Sequence, residues 1–189
     1  TQTRCDWSRA DNLMMAYHDT EWGVPLYDDH QLFEFLILEG MQAGLSWATI
    51  LKKRVAFRAA FADFNAEKIV QFSSDDMHAL MQNKAIVRNK LKIAAVIHNA
   101  KAFLDLKTQI SFSDFLWQFV DGVPKINYWE QQTQVPAYTA ESEAMEKALK
   151  QAGFKFVGRT ICYAFMQATG MVNDHMVSCY RYQMLLNSE

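Results

Sequence analysis

Apolar positions recur every three to four residues along most of this chain, the spacing of one helical face. The pattern is dense over 29–40, where Leu32, Phe33, Phe35, Leu36, Ile37 and Leu38 accumulate, and it continues over 47–61. It returns over 90–106, with Leu91, Ile93, Ala94, Val96, Ile97, Ala100 and Leu104 as the expected buried face. A largely apolar helix over 157–169 is expected near the centre. Residues with side-chain oxygens precede these runs, as helix starts favour. Asp11 precedes a short helix over 12–19, Ser46 precedes Trp47, Asn65 precedes 66–72 and Ser73 precedes 74–82. Ser113 precedes 114–121, and Thr139 with Ser142 and Glu143 opens a helix to about 151. Gly153 and Gly170 stand where helices end. Residues 122–139 carry two prolines and read as a long loop, and no stretch reads convincingly as a strand. The expected fold is all-α, one compact unit over 1–189. It divides into a lobe over 20–110 and a second lobe in which 1–19 joins 111–189.

Composition agrees with a globular helical protein. Apolar residues make up 50% and charged residues 21%, while 7 glycines and 3 prolines favour long helices over hairpins. No apolar run approaches the roughly 18 residues of a membrane span, and no signal peptide opens the chain, so a cytoplasmic protein with no membrane partner is expected. Three cysteines, an odd count, argue against a secreted disulfide framework. The net charge of −2 argues mildly against nucleic acid. Cations nevertheless cluster locally, at Lys52, Lys53, Arg54 and Arg58, at Lys84, Arg88, Lys90 and Lys92, and at Lys147, Lys150, Lys155 and Arg159.

Three constellations carry chemistry. In the first, the apolar helix delivers Glu39 to a glycine-containing elbow, Gly40 to Gly44, which leads through Ser46 and Trp47 into the basic helix of Lys52, Lys53 and Arg54. A carboxylate, an aromatic plate and nearby cations suit a flat polar ligand joined to a polyanion; an ordinary helix–turn–helix gives the same pattern. In the second, helix 74–82, the turn 83–89 and helix 90–106 form a helix-hairpin-helix. Such a turn can aim backbone N–H groups at a phosphate, or simply join two packed helices. In the third, Cys5 and His18 stand thirteen apart, and His175 and Cys179 stand four apart, the spacing of one helix face. Two thiolates and two imidazoles make a closed tetrahedral zinc set, which is structural rather than catalytic; two unrelated pairs remain the alternative. Cys162 reads as an inert core thiol, and His30, His78 and His98 as surface or satisfied core residues.

These motifs resemble the 3-methyladenine DNA glycosylase I family of bacterial alkylation repair. The resemblance rests on Arg4-Cys5-Asp6-Trp7, on Ala16 to Pro25, on Leu38 to Trp47, on Ile86 to Ile93, and on Gly153 to Tyr163 followed by Val172-Asn173-Asp174-His175. It implies a helix-hairpin-helix glycosylase that flips 3-methyladenine out of double-stranded DNA and hydrolyses its N-glycosidic bond as a monomer. Glu39 would hydrogen-bond the base edge, with Tyr17 and Trp47 beside it and Trp7 and Trp22 lining the pocket. Gly44 and Leu45 would enter the gap left by the flipped nucleotide, and Arg88, Lys90 and Lys92 would hold the backbone. Zinc would sit on Cys5, His18, His175 and Cys179. Two positions depart from the family pattern: Met14 replaces a pocket tyrosine, and Ala85 replaces a hairpin glycine, where a positive φ would strain alanine. A weakened or non-catalytic binder of alkylated bases is therefore the second expectation, and a zinc-stapled helical interaction module the third.

Overall fold

The computed structural model describes residues 1–188. Along them run α1 (Asn12–Thr20), α2 (Asp29–Gln42), α3 (Trp47–Ala60), α4 (Ala66–Ile69), α5 (Ser74–Gln82) and α6 (Lys90–Lys107). α7 (Phe112–Trp117), α8 (Ala140–Gln151), α9 (Arg159–Ala168) and α10 (Tyr180–Leu186) follow. The fold is all-α, and none of the described helices is long and apolar enough to cross a membrane. Two strands of two residues, β1 (Lys125–Ile126) and β2 (Val172–Asn173), pair in parallel, although the sequence pattern predicts no strand. That pairing fastens the loop 122–139 to the chain just before His175.

Local capping explains most helix starts. The side chains of Asp11, Asp28, Ser46, Asn65 and Asn89 each accept a hydrogen bond from a backbone N–H of the first turn. Ser73 with Asp76 and Thr139 with Ser142 form reciprocal capping boxes. The expected cap Ser113 is not the one used. Ser111 caps α7 two residues earlier, which places Phe112 in the core. The helix expected over 66–72 closes at Ile69.

α2 organises the core. Every residue from Leu32 to Met41 is buried, because α3, α6, α7 and α9 pack around the helix. The helix does not end at Glu39 but continues to Gln42. Gly40 is therefore a packing position rather than an elbow: a side chain there would meet the Phe156 carbonyl oxygen at 3.2 Å. The bend falls instead at Gly44, whose φ of +79° suits glycine.

The buried face of α6 is rotated from the expected one. Lys92, Ile93, Ala95, Val96, Asn99, Ala100, Ala102 and Phe103 face inward, while Leu91 is 72% exposed and Ala94 is also exposed. Two polar residues drive this register. Lys92 Nζ donates to the Met41 carbonyl at 2.9 Å, which satisfies an end carbonyl of α2. Asn99 exchanges two hydrogen bonds with the Lys155 backbone.

Candidate functional site

A cavity of about 340 Å³ opens beside the C-terminal turn of α2. It brings together Trp7, Tyr17, Trp22, Glu39 and Trp47, all five of the residues expected around the ligand. Tyr17 reaches it from α1 and Trp47 from the first turn of α3; their rings lie 5.6 Å apart. Trp7 and Trp22 meet edge to face at 4.9 Å. Met14 lies one helical turn before Tyr17 and completes that wall, so the family departure falls directly on the cavity.

The polar groups here are short of partners. The Tyr17 hydroxyl and the Trp47 indole N–H are buried without one, and no described residue donates a hydrogen bond to the Glu39 carboxyl. Such groups are costly to leave unmatched unless a ligand completes them. Burial alone pushes the Glu39 carboxyl up to about 8. It also raises Tyr17, with the nearby Glu39 charge adding to the effect. The cavity thus offers two donors and a carboxyl that is mostly protonated at neutral pH, flanked by indole faces that attract cations.

The sequence motifs say little about the opposite wall. Gln132 and Val135 come from the loop 122–139, Ala164 and Gln167 from α9, and Asp174 from the segment before the C-terminal helix. Asp174 is buried and accepts four hydrogen bonds. Asn127 and Trp129 donate to Oδ1, Tyr163 and Gln167 to Oδ2. Only the Asn173-Asp174-His175 motif marks it in the sequence.

The residues expected to meet a polyanion divide into two groups. Leu45, Gly44, Arg88 and Lys90 are exposed at the α2–α3 bend and at the hairpin. Lys53 Nζ reaches the Ala85 carbonyl at 3.4 Å, placing α3 beside that hairpin. Lys92 instead turns inward and is spent on the end of α2. Arg54 is likewise withdrawn, held by Glu21 through two bonds of 2.6 and 2.7 Å, and Arg58 pairs with Glu34. Ala85 has no positive φ, so alanine leaves the hairpin unstrained.

A second cluster joins the ends of the chain. The ligand atoms of Cys5, His18, His175 and Cys179, all buried, lie within 4.8 Å of one another. Cys179 Sγ is 3.4 Å from His18 Nε2 and 3.6 Å from His175 Nδ1, and Cys5 Sγ is 3.7 Å from His175 Nδ1. A tetrahedral ion with bonds of about 2.0–2.3 Å would separate its ligand atoms by roughly 3.3–3.8 Å, so the spacing suits a metal. The remaining ring nitrogens are already fixed. His18 Nδ1 meets Asp19 at 2.8 Å, and His175 Nε2 meets the Trp22 carbonyl at 2.9 Å. Asp19 is in turn gripped by Arg4, which holds it well below the usual carboxylate range. Outer partners of this kind orient metal-binding imidazoles. The four-residue spacing of His175 and Cys179 is not helical. A turn closed by Cys179 N–H on the Met176 carbonyl brings them together ahead of α10. Cys162 lies apart, bonded to the Val157 carbonyl and pushed up to about 12 by burial.

Comparison with known proteins places this geometry. Residues 7–182 match the model of the methyladenine glycosylase family. The DNA-3-methyladenine glycosylase 1 of Escherichia coli K12 is 48% identical over 180 residues, covering 95% of this chain and 96% of the relative. A crystal structure of a 3-methyladenine DNA glycosylase I superposes with a TM-score of 0.92 at 51% identity, covering 94% of this chain and 98% of that one. The Staphylococcus aureus 3-methyladenine DNA glycosylase I, whose structure addresses 3-methyladenine recognition, gives 0.90 at 38% identity over 94% of this chain and 95% of its own. On sequence and on structure alike, the chain belongs to the methyladenine glycosylase family.

Proposed function

We propose that this protein is a DNA repair glycosylase that extrudes 3-methyladenine from double-stranded DNA and hydrolyses its N-glycosidic bond. The observation that supports this reading most is the cavity that joins the unpartnered Tyr17 hydroxyl and Trp47 indole N–H to the buried Glu39 carboxyl. A base methylated at N3 carries positive charge and an exocyclic amino group. It can engage the Glu39 carboxyl and the two donors while Trp7, Trp22 and Trp47 face its π-system. Neutral adenine lacks the charge, and a normally paired base also costs more to unstack.

The chemistry asked of the protein is modest. The C1′–N9 bond breaks with its electron pair passing to the base, which neutralises the charge on the ring. Water bonds to C1′ and loses a proton, and the free base leaves uncharged. Because the leaving group is already activated, no side chain need protonate it. Entry of the cation favours the ionised form of Glu39, whose proton passes to solvent, so the carboxylate forms where it meets positive charge. No water-activating base is assigned, and Asp174 is ill-suited because four donors already occupy its oxygens.

Extrusion needs groups outside the pocket. Leu45, exposed on the bend at Gly44, fills the gap in the DNA stack in this reading. Arg88 and Lys90 with the hairpin backbone hold the phosphates, joined by Lys53. Zinc on Cys5, His18, His175 and Cys179 supplies structure and no reaction step, fastening both ends of the chain beneath Trp7 and Trp22. Release of free 3-methyladenine from alkylated duplex DNA, followed by chromatography, tests the reading. DNA binding without base release would instead select a non-catalytic relative, and neither would leave a zinc-stapled interaction module.

A further inference from the structure

The four hydrogen bonds to Asp174 come from two different walls of the cavity. Asn127 Nδ2 at 2.7 Å and Trp129 Nε1 at 2.9 Å belong to the loop 122–139, and both use Oδ1. The Tyr163 hydroxyl and Gln167 Nε2, the latter at 3.0 Å, belong to α9, and both use Oδ2. The same loop brings Gln132 and Val135 to the cavity three to six residues beyond Trp129. Backbone hydrogen bonds follow the same seam: Val177 N–H donates to the Trp129 carbonyl at 2.9 Å, and β1 pairs with β2. Residues 130–134 are exposed and bond among themselves through the Gln134 side chain, while Val135 packs against the core.

We infer that Asp174 is a positioning residue for the base pocket: its carboxylate clamps the loop wall carrying Gln132 and Val135 to the α9 wall carrying Gln167. A buried carboxylate with four donors is stable only when all four remain in place, so it specifies one arrangement of both walls. Substituting either side loosens the same joint. The clamp acts through these neighbours, and bond breaking is left to the groups that face the base. The inference rests on the proposed glycosylase reading for its ligand, and on geometry alone for the clamp.

Asp174→Asn keeps the shape but cannot accept from all four donors. Trp129→Phe removes one donor at the far end of the loop. Each is expected to weaken binding of free 3-methyladenine about tenfold, the equivalent of one hydrogen bond to a charged group. The double variant is expected to be little worse than either single one, because both release the same joint. Amide exchange over 127–135 is expected to speed up, with metal content unchanged. Lys150→Ala, which removes only an exposed pair with Glu146 within α8, serves as the control and leaves affinity and exchange as in the parent. Should Asp174→Asn not fold, Trp129→Phe alone carries the affinity and exchange measurements. Parent-like affinity and exchange in a folded Asp174→Asn or Trp129→Phe protein, or fully additive losses, would overturn the clamp. A parent protein that neither binds nor releases 3-methyladenine overturns the functional reading instead, and the exchange data still decide the clamp.

Discussion

Lys92 Nζ lies 2.9 Å from the Met41 carbonyl oxygen, so the helix after the hairpin holds the end of the helix that carries Glu39. A residue that looks like one more cation of a DNA-binding cluster is a structural tie between hairpin and pocket. Its neighbours Arg88 and Lys90 remain exposed and carry the phosphate binding proposed above.

That division predicts opposite outcomes within five residues. Arg88→Ala and Lys90→Ala are each expected to reduce the salt dependence of DNA binding by about one in log–log slope for each phosphate left unneutralised, with little change in melting temperature. Lys92→Met is expected to leave the slope unchanged and to lower stability by about 1–3 kcal/mol, from the unsatisfied end of α2. Binding measured across a salt series, beside thermal melts, separates the two. A lowered slope for Lys92→Met would contradict the assignment.

The metal cluster gives a second test. Purified protein is expected to hold one zinc per chain, and a strong chelator should release it and lower the melting temperature. His175→Ala should do the same, because it removes a ligand and the bond to the Trp22 carbonyl together. Trp22 and Trp7 pack against these histidines, so base affinity is expected to fall with metal loss. Elemental analysis showing no stoichiometric metal in folded, active protein would count against the zinc reading.

Gly40 supplies the third. Alanine there would press on the Phe156 carbonyl, and Phe156 already has a φ of +57°. Gly40→Ala is expected to cost about 1–3 kcal/mol by overpacking. It should also weaken base binding, because Glu39 precedes it on the same turn. Denaturant unfolding and a base titration would check both.

What the sequence discloses follows from range. Caps at Asp11, Ser46, Asn65, Ser73 and Thr139 depend on partners three residues away, so their chemistry is visible locally. Ser111 and Ser113 lie too close together for local rules to choose; the burial of Phe112 chooses. The register of α6 escapes an apolar pattern because Lys92 and Asn99 count as polar in it, yet partners about fifty residues away draw them inside. Tyr17, Trp47 and Glu39 are legible through the family motifs. The role of Asp174 is not, since its donors stand 7 to 47 residues away, and neither is the loop wall that it holds.

Glu39 gives the test that reaches furthest into the proposed chemistry. Its carboxyl is raised to about 8 in the folded protein by burial, against about 4.3 for glutamate in an unfolded chain. Between those values the folded state holds the extra proton, so stability falls as pH rises from about 4.3 to 8. Glu39→Gln, which cannot ionise, should lack that fall and become the more stable protein above pH 8. Activity should run the other way. Excision at low substrate is expected to rise with pH toward 8 as the carboxylate becomes available to the cationic base. Glu39→Gln should flatten that rise and bind the base less tightly, the loss of one charge-assisted hydrogen bond amounting to about 1.5–3 kcal/mol. Melting curves and excision rates across pH 5–9 measure both trends on the same preparations. A Glu39→Gln protein with parent-like pH profiles in both would show that this carboxyl neither bears the buried proton nor meets the base.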